Sequence, residues 1–382
     1  MKLPRVFLLF IFIATAFAAE ADSARLAEIP RRMQALVDRH VIAGSVTLVA
    51  QHGKIAQLAA VGKSDIASGR AMKTDDIFWI ASMTKPMTAV CVMMLAEEGK
   101  LSLGDPVSKF IPEFAALKLH GAKPPRPVTI RDLLTHTGGL GDAQIARKAP
   151  LSARVAAYAR APMKFAPGTR WEYCNSGFNT LGRIVEVVSG KSFATFMQRR
   201  LLGPLGMNDT TFWPSSRQVA RLAKSYRPGN GGLVETSVYA FPGDMTDRTR
   251  PALPAGGLFS TASDVARFYR MILGGGSLGA RRFLSGETVR QMTVTQTGGM
   301  KTGSVDGTGW GLGFQIVKVP RGVTAGLSAG SFGHGGSFAT QGWADPRRDA
   351  IFVLMIQRAG FANADAAEPR KVFQDAAAAA LR

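Results

Sequence analysis

A chain of 382 residues with 46% hydrophobic content can build a substantial core, which excludes disorder as a description of the whole. Its 2 cysteines can neither staple that length nor form a multi-cysteine metal centre, so packing must hold it together. The 47 Lys and Arg outnumber the 27 Asp and Glu, and the formal charge of +20 points to polyanionic partners. In chain order, Lys2 and Arg5 precede an apolar run over 6–17, and Ala16-Phe17-Ala18 has a small-x-small cleavage pattern. The run is well short of the ~20 residues needed to cross a bilayer as a helix. Residues 1–18 are therefore expected to be a cleaved signal peptide and the protein to be exported, periplasmic or secreted. Export makes nucleic acid an unsuitable partner and leaves anionic wall or membrane surfaces to attract the charge.

Apolar residues at helical spacing (Leu26, Ile29, Met33, Leu36, Val37) predict a helix over 25–40, ending before Gly44. Apolar runs at 45–51 and 55–61 flank the turn His52-Gly53-Lys54 and predict a hairpin, with a short third strand at 77–80. A helix over 83–98 is closed by Gly99. From there to about 251 helical patterns dominate: 130–135, 153–161, 177–189 stopped by Gly190, and 193–202 stopped by Gly203-Pro204. Strand signals nearly vanish in that stretch. They return at 313–319 and at 350–357, where Ile351-Phe352-Val353-Leu354-Met355-Ile356 predicts a buried strand, before an alanine-rich helix over 369–381. Helix-strand-strand at one end and strand-strand-helix at the other predict an α/β (α+β) fold. An antiparallel sheet would be built from both termini and flanked by helices, with a mainly helical lobe inserted. The expected boundaries are one unit over 22–382, with a sheet lobe over about 22–81 and 253–382 and a helical lobe over about 82–252.

Three constellations carry chemistry. Ser82-Met83-Thr84-Lys85 falls where a strand gives way to a helix, and residues three apart on a helix share a face, so the Lys85 amine can reach the Ser82 hydroxyl. Serine needs a base to become a nucleophile, a desolvated lysine can act as one, and a helix N-terminus favours developing negative charge. Roughly one Ser-x-x-Lys is expected by chance in a chain of this length, so the match needs support. Tyr173-Cys174-Asn175 supplies it from a loop after Ala166-Pro167-Gly168-Thr169. Alternation directs Tyr173 and Asn175 into a cleft and Cys174 away from it. A phenol beside an ammonium is expected to have its pKa lowered and to relay the serine proton, while the asparagine amide holds the lysine and a substrate carbonyl. In His334-Gly335-Gly336-Ser337, glycines on an edge strand let a substrate approach, and the N–H groups of Ser337 and Ser82 can pair as an oxyanion hole.

The ordered set Ser82-x-x-Lys85, Tyr173-x-Asn175 and His334-Gly335-Gly336 resembles the three boxes of the serine β-lactamase and penicillin-binding superfamily. The tyrosine box is similar to that of class C β-lactamases, D-alanyl-D-alanine carboxypeptidases, D-aminopeptidases and related esterases. The resemblance continues in Leu101-Ser102-Leu103-Gly104-Asp105-Pro106-Val107, 129–140 (TIRDLLTHTGGL), Pro204-Leu205-Gly206-Met207, 256–264 (GGLFSTASD) and Gly309-Trp310-Gly311-Leu312-Gly313, and so covers about residues 25 to 378. It implies acyl transfer to Ser82 followed by hydrolysis. Lys85 and Tyr173 would handle the proton in an order left open, Asn175 would orient lysine and substrate, and His334 and Gly336 would border the substrate.

The third box departs from the Lys-Thr-Gly of β-lactamases: a fixed cation becomes an imidazole, and the threonine hydroxyl that helps bind a substrate carboxylate is missing at Gly335. Small esters or amides are therefore the favoured substrates. Wall peptides cleaved by a carboxypeptidase or D-aminopeptidase, β-lactams, and a non-catalytic ligand-binding role are the alternatives. Lys301-Thr302-Gly303 spells the β-lactamase box literally but lacks the strand-turn-strand that follows His334. His136-Thr137-Gly138 stands ahead of the tyrosine box, in the wrong order. Gly326-Leu327-Ser328-Ala329-Gly330 matches a hydrolase elbow without its strand, helix or acid. The histidines at 40, 52, 120, 136 and 334 show no metal-ligand spacing, so no metal and no cofactor are expected, and Cys91 and Cys174 are read as buried free thiols.

Overall fold

The computed structural model describes residues 21–238, 243–303 and 305–381, so the expected signal peptide over 1–18 lies outside the described residues. The strands are β1 (Gly44–Gln51), β2 (Lys54–Asp65), β3 (Arg70–Ala71), β4 (Phe78–Trp79), β5 (Ser225–Gly229), β6 (Gly232–Thr236), β7 (Phe259–Ser260), β8 (Ser277–Leu278), β9 (Arg281–Arg282), β10 (Thr308–Trp310), β11 (Gln315–Val317), β12 (Phe332–Gly335), β13 (Gln341–Asp345) and β14 (Ala350–Met355). The helices are α1 (Ser23–Asp38), α2 (Thr84–Glu97), α3 (Ile130–Leu134), α4 (Leu151–Arg160), α5 (Asn175–Ser189), α6 (Phe193–Met197), α7 (Gly203–Leu205), α8 (Ser216–Val219), α9 (Ala262–Leu273), α10 (Gly286–Thr293) and α11 (Glu368–Ala380).

One sheet runs in the order β10-β11-β12-β13-β14-β1-β2-β3, antiparallel at every step. Its centre joins the two ends of the chain, with Val46 opposite Met355 and Gln51 opposite Ala350. Burial on both faces explains why β14 reads as an unbroken apolar run: Ile351, Val353 and Met355 enter one core, and Phe352, Leu354 and Ile356 enter the other. The second core is closed by α1 and α11, with Leu26, Ile29 and Met33 of α1 meeting Phe373 and Ala377 of α11. The Asp22 carboxylate starts α1 by accepting the N–H groups of Ala24 and Arg25. On the other face α9 packs over β1, β13 and β14. Helix α2 is buried along its whole length from Thr84 to Leu95, as befits a helix that is apolar all round.

Several elements differ from the sequence expectation. The helix over 193–202 does not stop at Gly203-Pro204. It passes through a π-helical turn, Gln198–Leu202, into α7 and ends at Gly206, whose φ of 70° only glycine adopts freely. Pro204 stands second in α7, directly behind the π-helical turn. The strand expected over 313–319 shortens to β11 because Gly313 turns with a φ of 86°. The hairpin β5–β6 lies where strand signals were expected to be nearly absent; it is largely exposed and carries little apolar alternation. Helices α9 and α10 were not anticipated, although Thr261 caps α9 by accepting the N–H of Asp264 at 3.2 Å.

Candidate active site

Ser82 sits in a one-turn 3₁₀ helix, Ala81–Met83, that feeds α2. Ala81 has a φ of 45°, a left-handed conformation that costs roughly 1 kcal/mol or more for a residue with a side chain. Neighbours hold it there. The Ile80 N–H donates to Leu258 O at 3.0 Å, while the Thr84 hydroxyl donates to Ala81 O at 2.7 Å and accepts the Leu258 N–H at 3.2 Å. The sharp turn leaves Ser82 at the wall of a cavity of about 270 Å³.

Lys85 is wholly buried one turn on. Its Nζ donates to Ala255 O at 2.6 Å and Asn175 Oδ1 at 2.8 Å, and lies 3.1 Å from Ser82 Oγ. Burial lowers its pKa to about 7, against the opposing pull of the Asp365 carboxylate. An uncharged amine has two N–H groups and one lone pair. Two pure acceptors take the N–H groups, so the lone pair is left facing the serine hydroxyl.

Tyr173 and Cys174 are extended and Asn175 opens α5, so the second box straddles loop and helix instead of lying wholly on a loop. Tyr173 lines the cavity, and Lys85 Nζ stands 4.5 Å from its ring centre. The Cys174 thiol turns the other way, to Ser176 Oγ at 2.9 Å. The expected lowering of the Tyr173 phenol does not occur. Although 37% of the residue is exposed, its hydroxyl end is tucked in beside Ser82, and burial holds the phenol above its usual range against its hydrogen bond with Ser82. At neutral pH Tyr173 is therefore a proton donor and Lys85 the group that can be bare.

The second box rests on a residue that sequence reasoning set aside. His136 is buried, its Nδ1 accepts the Cys174 N–H at 3.0 Å, and its carbonyl accepts the Glu172 N–H at 3.0 Å. Its ring lies 4.6 Å from that of Tyr173. Burial first, then the charge of Lys85, holds it well below the usual histidine range, which keeps Nδ1 bare to accept. His136→Leu should leave the Cys174 N–H unsatisfied, at about 1–3 kcal/mol, and lower kcat about 10- to 100-fold with KM little changed. His136→Asn, whose amide oxygen can accept and whose backbone tolerates the φ of 60°, should restore most of it. Steady-state kinetics check this, and a Leu variant with normal kcat would show the clamp to be dispensable.

His334 lies on β12, inside the sheet order instead of at its edge. Pairing with β11 covers only Phe332 and Gly333, however, so the far side of His334 and Gly335 is free of a strand partner. Its Nδ1 stands 2.7 Å from Gly335 O and donates to it; burial and then the Lys85 charge lower its pKa to about 3. The imidazole is thus uncharged, with its Nε2 lone pair unpartnered among the described residues. A Cβ on Gly336 would stand 2.7 Å from the Ile80 carbonyl, so glycine lets this strand pass close to the Ser82 turn. His334, Gly335, Gly336 and Ser337 all border the same cavity as Ser82 and Tyr173.

Of the decoys, Lys301-Thr302-Gly303 lies in a loop before β10, and only Gly303 reaches the cavity wall. Ser328 lies in a turn where its N–H donates to Asp345 at 2.9 Å, away from the three boxes. Both thiols are free; Cys91 is buried and Cys174 half-buried. Among the described residues no group of three or more His, Cys, Asp or Glu could hold a metal ion, and no helix is long and apolar enough to cross a membrane.

A family model described as Beta-lactamase matches residues 29–377. Esterase EstB of Burkholderia gladioli is 30% identical over 384 residues, covering 91% of this chain and 93% of its own length. Penicillin-binding protein 4 of Amycolatopsis lactamdurans is 32% identical over 365 residues, covering 89% and 93%. Among solved structures, EstCE1, a hydrolase with promiscuous acyltransferase activity, superposes with a TM-score of 0.79 at 22% identity, covering 93% of this chain and 98% of that one.

Proposed function

Because the chain belongs to the Beta-lactamase family, whose model spans residues 29–377, and is a serine hydrolase, we propose that it acts on small esters or amides through an acyl-enzyme on Ser82. The observation that carries this reading is the Lys85 amine, lowered to about 7, with its one free position 3.1 Å from Ser82 Oγ. The neutral amine takes the hydroxyl proton as Oγ attacks the carbonyl carbon. The N–H groups of Ser82 and Ser337 receive the oxyanion. The Tyr173 phenol, protonated and beside Ser82, passes a proton to the departing alcohol or amine and is recharged from Lys85. Water then reverses the sequence at the acyl-enzyme. Asn175 keeps the lysine aimed, and the bare Nε2 of His334 accepts a hydrogen bond from the substrate.

The third box offers no cation, since His334 is held neutral, and this favours esters and amides over β-lactams or peptides with a terminal carboxylate. The similarity to a penicillin-binding protein keeps a second reading in view, that of a D-Ala-D-Ala carboxypeptidase, D-aminopeptidase or β-lactamase. A short acyl ester, a D-Ala-D-Ala peptide and a chromogenic cephalosporin assayed side by side separate the two. The ester should have the highest kcat/KM, and a faster cephalosporin or peptide would replace the first reading with the second. We further infer, from Lys2, Arg5 and the apolar run over 6–17, that the protein works outside the cytoplasm; N-terminal sequencing of the secreted form should begin after Ala18 or Ala21.

A further inference from the structure

Around the Ser82 cavity one wall residue carries a formal charge, and it belongs to none of the three boxes. Of the side chains that line the cavity among the described residues, Asp365 alone is an acid or a strong base, since Lys85 lies behind the wall and His334 is uncharged. Asp365 sits in a short 3₁₀ turn, Ala364–Ala366, fixed by Asn363 Oδ1, which accepts the Asp365 N–H at 3.0 Å and the Ala366 N–H at 3.3 Å. Its carboxylate leans over the third box: an ideal Cβ on Gly335 would stand 2.6 Å from Asp365 Oδ1. The glycine there leaves room for the acid and for its Arg370 partner, whose two terminal nitrogens would stand closer still to that Cβ.

The nearest cation does not offset this toward the substrate side. Arg370 is 3% exposed, and its guanidinium donates to Asp365 Oδ1 at 2.5 Å, Gly336 O at 2.8 Å, Thr340 O at 2.7 Å and Ala339 O at 3.2 Å. With four of its five N–H groups engaged by these acceptors and its surface covered, it staples the loop after β12 and holds the acid in place, and burial keeps it from an anionic substrate. Asp365 is 37% exposed. Beside it the cavity wall is aromatic: Trp171 and Trp310 lie 5.3 Å apart, centre to centre, and Tyr173 lies 6.1 Å from Trp310. A cavity lined by a carboxylate and by indole and phenol rings is suited to an ammonium group, through ion pairing and cation–π attraction together.

We propose that Asp365 is a specificity-determining residue that makes the pocket select acyl donors bearing an ammonium group over those bearing a carboxylate. The assignment rests on the hydrolase reading above and narrows its substrate class. A substrate anion would meet one like charge and no exposed cation, whereas a substrate cation would pair with the exposed edge of the carboxylate.

Three methyl esters of matched length test it by proton release at constant pH: methyl valerate, methyl 4-(trimethylammonio)butyrate and monomethyl glutarate. The wild-type protein should show a kcat/KM for the ammonium ester at least about tenfold above that for the glutarate, with the valerate between them. Asp365→Asn keeps an oxygen for Arg370, removes the charge, and should shrink that ratio about tenfold. A wild-type ratio near one, or one favouring glutarate because Arg370 swings free, would overturn the assignment without any variant. An unchanged ratio in a folded Asp365→Asn protein would overturn it too. Labelling of Ser82 by an organophosphonate, run on both proteins, separates the causes. Labelled protein with a flat ratio defeats the Asp365 assignment alone, whereas wild-type protein that neither labels nor cleaves any ester defeats the hydrolase reading and this one with it.

Discussion

Ser82→Ala is expected to lower ester turnover by about 10⁴- to 10⁶-fold and to leave the protein unlabelled by an organophosphonate. The size of the effect follows from what the hydroxyl is asked to do. Without Oγ no acyl-enzyme can form, and what remains is the cavity and its N–H donors, which by themselves give only a modest rate over water. The fold should survive the change. Lys85 retains the Asn175 and Ala255 acceptors, and the clamp on the Ala81 turn runs through Thr84 and Ile80, not through the serine hydroxyl. Mass spectrometry of the intact protein after probe treatment, with a thermal melt alongside, reads both halves. A label of unchanged stoichiometry in the Ala variant would place the nucleophile elsewhere.

Lys85→Met should cost about 10³-fold or more in kcat/KM and should erase the acid limb of the pH profile. In the wild-type protein the amine must be bare to accept the serine proton, so activity should climb with pH through a midpoint near 7 and then level off. The same shift makes a statement about stability. The folded-state pKa lies below the usual 10.5 of the unfolded chain, so between the two values the unfolded state binds more protons and folding grows more favourable as pH rises. The penalty is fully present below about 7 and relieved as pH approaches 10.5, on the order of 5 kcal/mol in all. Measured against Lys85→Met, which has no proton to lose, wild-type stability in urea should therefore improve by about 2 kcal/mol between pH 7 and pH 9. A difference that stays constant over that interval would mean that the amine is not held near 7.

The parts legible in the sequence are those written locally. Ile351 to Ile356 could be read as a strand buried on both faces because six consecutive apolar residues have no other economical place. The spacing of Ser82 and Lys85 on a helix start already implied their contact. What escaped was set by partners distant in the chain. Nothing near His136 says that its ring will accept the N–H of Cys174, and its place before the tyrosine box argued against it when order along the chain was the only criterion. The direction of the Tyr173 shift needed the knowledge that burial of the phenol outweighs its hydrogen bond with Ser82. Asp365 lies in an alanine-rich stretch with no motif, and only the fold brings it over Gly335. The β5–β6 hairpin failed for a different reason: exposed and nearly free of apolar alternation, it offers periodicity nothing to detect.

The pairing of Val46 with Met355 at the centre of the sheet closes a loop of about 300 residues, and that span governs how the protein can fold. Until β14 is available, β1 and β13 each present an open edge where a central strand belongs, and both cores lack the side chains that β14 sends into them. Neither face can be completed by partial assembly from the N-terminus. A chain ending short of Ala350 would therefore be a sticky, unfinished sheet and not a smaller stable domain. Completion of the sheet therefore waits on the meeting of the two ends of the chain.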